Sequence, residues 1–120
     1  KNDFVKRFVS LPNDDRMIPP VHTTGGAVDV TIVDASGKEL DMGTVFDEFM
    51  ETAFTSYFEE HKVSQEVLEN RRLLYTVMTE AGFINLPSEW WHYDYGDRFW
   101  AFYSNEPAMY SGVFNVEEVI

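Results

Sequence analysis

There is no cysteine among the 120 residues. A disulfide framework and thiolate metal ligation are therefore excluded, and any metal would have to be held by His, Asp or Glu. Histidine is scarce, with three in the chain, and basic residues are few: nine Lys and Arg stand against 21 Asp and Glu, a formal net charge of -12. Such a balance repels phosphate backbones and anionic lipid headgroups, which argues against nucleic acid and membrane surfaces as partners. No apolar run approaches the ~18 residues of a membrane span, and the N-terminus carries no signal-peptide hydrophobic region. A cytoplasmic location is the expectation, with a periplasmic one as the alternative. The chain opens on Lys1 rather than Met, so removal of an upstream segment is also expected.

What is present suffices for one modest core. Hydrophobic residues make up 44% of the chain and aromatics 16%, and the length suits a single domain over residues 1–120. Most rings fall within residues 83–114, which should supply much of the core or of a pocket wall. The acidic excess reads first as a solubilising surface, so chemically active carboxylates must be found by position.

Along the chain, residues 3–9 could form one or two helical turns ended by Pro12. Pro19-Pro20 forces an extended approach to Val21-His22. Ala27-Val28-Asp29-Val30-Thr31-Ile32-Val33 is β-branched and nearly continuous, the pattern of a buried strand. Ala35-Ser36-Gly37-Lys38 supplies a hairpin turn to a short partner strand over residues 39–41. Residues 44–61 mix loose helical spacing with Gly43 and several threonines and predict irregular structure with short helical turns. Ser64 can cap a helix over residues 64–81, with Leu74, Val77, Met78 and Ala81 on one face and Gly82 just past its end. Residues 90–95 and 99–103 look like strands joined through Gly96-Asp97-Arg98. The fold class expected is α+β, a small, mostly antiparallel sheet packed by one main helix and short helical segments.

Two histidines stand in unusual surroundings, His22 before Gly25-Gly26 and His92 after Glu89-Trp90-Trp91. His61, among Glu59, Glu60 and Lys62, reads as a solvated side chain. In a fully extended chain His22 and Asp29 would face opposite ways, since the facing alternates with period two. Gly25 and Gly26 provide the bend that lets them converge. Asp29 lies within a hydrophobic strand and needs a partner there: a metal, a cation, or the loop backbone that it could cap. Glu89 and His92 would diverge in a strict strand, but Pro87-Ser88 suggests that Glu89 still belongs to the entering loop. Trp90 and Trp91 could shield a site or simply fill the core. Two imidazoles and one carboxylate match a catalytic zinc shell that leaves its fourth position to water, with Glu89 as base towards that water and then acid towards a departing amine.

His22-x-x-Gly25-x-Ala27-x-Asp29 followed by Glu89-x-x-His92 resembles the paired signature of VanX-type D-Ala-D-Ala dipeptidases and the related zinc DD-carboxypeptidases. Similar stretches are Leu40-Asp41-Met42-Gly43-Thr44 and Asn70-Arg71-Arg72-Leu73-Leu74, and the likeness runs over residues 19–103. The resemblance implies a Zn2+ ion held by His22, Asp29 and His92, Glu89 as the general base, and hydrolysis of D-Ala-D-Ala or a similar small peptide. Peptidoglycan stem peptides are the alternative substrate. Two departures stand out. Pro20 occupies the place of a serine often found two residues before the first histidine, and no Gly-Tyr-Arg-Pro motif occurs in these residues; neither Arg7 nor Arg16 has that context. Since losing an oxyanion donor costs about 10²–10³ in rate, the expectation is the C-terminal catalytic portion of a longer protein. Its N-terminal fragment could be present as a separate chain, or this chain could be a catalytically silent zinc-binding module.

Overall fold

In a computed structural model of the chain, residues 20–115 and 117 are described; the helix expected over residues 3–9 lies outside them. The strands are β1 (Ala27–Asp29), β2 (Ile84–Asn85) and β3 (His92–Asp94), and the helices α1 (Tyr57–Glu60), α2 (Gln65–Glu80) and α3 (Arg98–Ser104). Turns of 3-10 helix lie at Val21–Thr24 and Glu51–Ala53. The sheet is antiparallel in the order β1-β3-β2, and the α+β class is the one expected. Among the described residues no helix is long and apolar enough to cross a membrane. The chain divides into two compact units, residues 29–93 and residues 1–28 with 94–120.

In the unit of residues 29–93, α2 begins and ends as its sequence specifies. The Ser64 hydroxyl accepts from the Val67 N–H at 3.3 Å, covering one of the donors that a helix start leaves open. At the far end Gly82 takes the left-handed conformation (φ 93). Its N–H donates to Thr79 O while that of Phe83 donates to Met78 O, the paired bonds of a Schellman ending. The buried face differs from the one expected. It consists of Val67, Arg71 and Leu74, and Val77 and Ala81 are exposed.

The reason is Arg71, a charge that no hydrophobic pattern would place inside. It is 5% exposed. Nε donates to Met42 O at 2.7 Å, Nη1 to Phe54 O at 3.0 Å and Nη2 to Thr52 O at 2.8 Å. Its guanidinium carbon stands 4.5 Å from the centre of the Phe58 ring. Burial lowers its pKa to about 10, so it remains a cation at neutral pH. It ties the irregular stretch between Met42 and Phe54 to the helix, a stretch whose only regular piece is a single 3-10 turn, as expected. Trp90 and Trp91 are core residues here, perpendicular to each other at 5.2 Å and edged by Phe46.

The strand expected over residues 27–33 is shorter, because the regular ladder ends at Asp29. The chain pairs again only at the antiparallel bridge Val33–Glu39. The turn between them forms as anticipated: Asp34 Oδ1 accepts from the N–H groups of Ser36 and Lys38, and Gly37 is left-handed (φ 85).

In the unit of residues 1–28 and 94–120, the glycines do what the sequence requires. Gly25 closes the Val21–Thr24 turn in the left-handed region (φ 71). Gly26 lies so close to its neighbour that a Cβ there would come within 2.5 Å of Tyr95 O. The strand expected over residues 99–103 is instead α3. Fully buried Asp97 caps it, Oδ1 accepting from the Trp100 N–H at 2.9 Å. That local hydrogen bond outweighs the strand preference of Phe99, Trp100, Phe102 and Tyr103.

Candidate metal centre

The site starts from strand register. Val30 N–H donates to Trp91 O and Tyr95 N–H to Gly26 O, each at 2.9 Å. Both bonds belong to one antiparallel register, which sets Asp29 directly across from His92. Cross-strand neighbours project from the same face with their Cβ atoms about 5 Å apart, so the two side chains meet: Asp29 Oδ1 lies 3.1 Å from His92 Nδ1. The His92 side chain is 3% exposed and that of Asp29 28% exposed. Asp29 is thus less buried than its hydrophobic flanks suggested, and it opens the site to solvent.

Glu89 arrives by two successive turns. Its N–H donates to Leu86 O at 3.0 Å, closing a β-turn with Pro87 in the second position, where the fixed φ of proline fits. The His92 N–H then donates to Glu89 O at 3.3 Å. Glu89 therefore stands outside the strand, as Pro87-Ser88 led us to expect, and its Oε2 lies 3.7 Å from His92 Nδ1. The residue is 3% exposed, and Oε1 is buried with no hydrogen-bond partner among the described residues. Burial pushes its pKa up to about 7; the charge of His92 opposes the rise, and those of Asp29 and Asp47 add to it. A carboxyl with that value can take and return a proton near neutral pH.

His22 is exposed on its 3-10 turn. A ring nitrogen of His22, a carboxylate oxygen of Asp29 and a ring nitrogen of His92 all lie within 4.8 Å of one another. A tetrahedral zinc shell with bonds of ~2.0–2.2 Å sets its ligand atoms ~3.3–3.6 Å apart. The N, O, N donor set fits such an ion by chemistry. The Glu89 carboxylate, buried beside His92, supplies the further acceptor that an activated water requires.

His61 takes no part. It is exposed at the end of α1, stacked on Tyr57 at 4.0 Å. Two residues near the centre gave no sequence signal. Asp47, in the left-handed region (φ 63), adds negative charge around Glu89. Asn85 on β2 donates to backbone carbonyls of the Glu89 turn; only the presence of a strand-averse amide between Ile84 and Leu86 could have drawn notice.

A family of proteins described as D-ala-D-ala dipeptidase matches residues 2–110 of this chain. Among individual proteins, the D-alanyl-D-alanine dipeptidase of Synechocystis sp. is 35% identical over 110 residues, covering 85% of this chain and 44% of that protein. The protein of that name from Escherichia coli is 41% identical over 73 residues, or 61% of this chain and 36% of the relative. The one from Enterococcus faecium is 36% identical over 73 residues, 60% of this chain and 35% of the relative. The chain thus spans less than half the length of each of these relatives. A match over that much of its own length means that the chain belongs to the D-ala-D-ala dipeptidase family.

Proposed function

We propose that this chain carries the metal centre of a zinc-dependent dipeptidase acting on D-Ala-D-Ala, with His22, Asp29 and His92 as ligands and Glu89 as the group that moves protons. The observation that carries this reading is the clustering of the three ligand atoms within 4.8 Å, with the Glu89 carboxylate 3.7 Å from His92. A bound zinc ion supplies a Lewis acid that polarises an amide carbonyl and acidifies water. Glu89 accepts a proton from the attacking water as the new C–O bond forms, and returns it to the amine nitrogen as the C–N bond breaks. Its burial serves both transfers, because a carboxyl with pKa about 7 is a stronger base than an exposed one and still gives the proton back. The turn over residues 86–89 keeps it beside His92 without using it as a ligand.

The test combines zinc stoichiometry with turnover. His22→Ala and His92→Ala abolish zinc binding, whereas Glu89→Ala binds zinc and fails to hydrolyse D-Ala-D-Ala. Loss of zinc in Glu89→Ala would overturn the division between ligand and base. Cleavage only of longer peptides ending in D-Ala-D-Ala would replace the dipeptidase by a carboxypeptidase acting on stem peptides. The outcome that would replace both enzyme readings is a module that holds zinc without turnover. Stoichiometric zinc with no hydrolysis of either peptide selects it.

A further inference from the structure

Asn85 lies on edge strand β2 with every polar hydrogen of its side chain committed. Nδ2 donates to Glu89 O at 3.1 Å and to His92 O at 3.0 Å. Oδ1 accepts from the Thr55 hydroxyl at 2.7 Å, and Thr55 is itself fastened by its N–H to Pro87 O at 3.0 Å. One carboxamide thus joins the carbonyls of the two residues whose side chains face each other at the centre. The amide can lie only one way round: turned over, its oxygen would face two carbonyl oxygens and the Thr55 hydroxyl would face an NH2 group.

Without Asn85 the two carbonyls are unequally served. Among the described residues, His92 O keeps the Leu86 N–H at 3.0 Å, but Glu89 O keeps only the His92 N–H at 3.3 Å, the longest bond of the turn. The loss falls on the peptide group that aims Glu89.

We propose that Asn85 is a positioning residue of the metal centre, its carboxamide fixing the Glu89–His92 turn so that the Glu89 carboxylate and the His92 ring are presented together, with Thr55 holding the amide in that sense. The proposal rests on the reading of Glu89 and His92 as base and ligand. Groups that orient a metal ligand from behind change affinity by about 10–100-fold when lost.

The test uses Asn85→Ala, Asn85→Asp and Thr55→Val in the full 120-residue chain, with zinc affinity read by competition against a chromophoric chelator. Asn85→Ala lowers affinity about tenfold. Asn85→Asp, although nearly isosteric, lowers it further, because a carboxylate oxygen is forced against two carbonyl oxygens. Loss of packing alone would rank the truncation as the worse change, so affinities within twofold of the parent, or a weaker effect for Asp than for Ala, overturn the proposal. Should either Asn85 variant not fold, Thr55→Val carries the test: it leaves both donated bonds in place, removes the hydrogen bond that anchors the amide oxygen, and weakens zinc binding measurably, while unchanged affinity overturns the idea. If the parent chain binds no zinc, the metal reading itself fails, and amide exchange of the metal-free protein decides about Asn85. Faster exchange at His92 in Asn85→Ala, with α2 unchanged, supports the positioning role; unchanged exchange refutes it.

Discussion

Replacing Glu89 by glutamine in the metal-free chain isolates the cost of a buried carboxylate. The side chain is buried, and its pKa is raised from 4.5 to about 7, chiefly by desolvation. In the unfolded chain the group ionises near its ordinary value, whereas in the folded chain it resists ionisation until near neutrality. Between those values the native state holds the proton that the unfolded state has lost. The stability associated with neutral Glu89 is therefore fully present below pH ~4.5 and lost as pH rises through ~7. A difference of two to three pKa units corresponds to about 3 kcal/mol. Glutamine has similar shape and no such titration, so the difference between parent and Glu89→Gln reports this group together with its coupling to His92, Asp29 and Asp47. The assay is urea unfolding in the presence of chelator at half-unit steps from pH 4 to 8. The parent should lose about 3 kcal/mol relative to the variant across that range. Parallel curves, constant to within about 1 kcal/mol, would refute the assignment of Glu89 as a carboxyl held neutral by burial.

Three further outcomes follow from the packing. Arg71→Met strips the donors from three backbone carbonyls and should cost about 3 kcal/mol or more in denaturant unfolding, far above a surface substitution. Ser64→Ala removes the helix cap and should cost about 1 kcal/mol with no change in zinc affinity. Gly26→Ala sets a methyl carbon against Tyr95 O and should cost roughly 1–3 kcal/mol, seen as a lowered melting temperature.

The parts of this fold that could be read from the sequence are those decided by local chemistry. Ser64 and Gly82 bracket α2, and Asp34 and Gly37 shape their turn, through contacts with residues at most five positions away, so residue type alone announces them. The proposed site residues stood out for another reason: His22, Asp29 and His92 lie beside a glycine pair and two tryptophans in an order that resembles a dipeptidase signature. The failures share one cause, interactions across long stretches of sequence. Arg71 reaches back to Met42, Thr52 and Phe54, and its presence in the core shifts the buried face of α2 away from Val77 and Ala81. Asn85 acts through main-chain carbonyls, which carry no residue identity. The error over residues 99–103 is different in kind. There a local signal was available in Asp97, and the aromatic run after it drew the reading towards a strand.

The pairing of Asp29 with His92 across β1 and β3 has a consequence for assembly. Side chains alternate faces along a strand, so a slip of one residue would turn Asp29 away from the ring, and a slip of two would carry it nearly 7 Å along the strand. β1 has only three residues and little of its own to enforce alignment. An ion gripped by both strands would stabilise the correct alignment alone, so metal uptake would proofread the pairing of two strands far apart in sequence, and a strand paired out of step would announce itself as a chain unable to hold the ion.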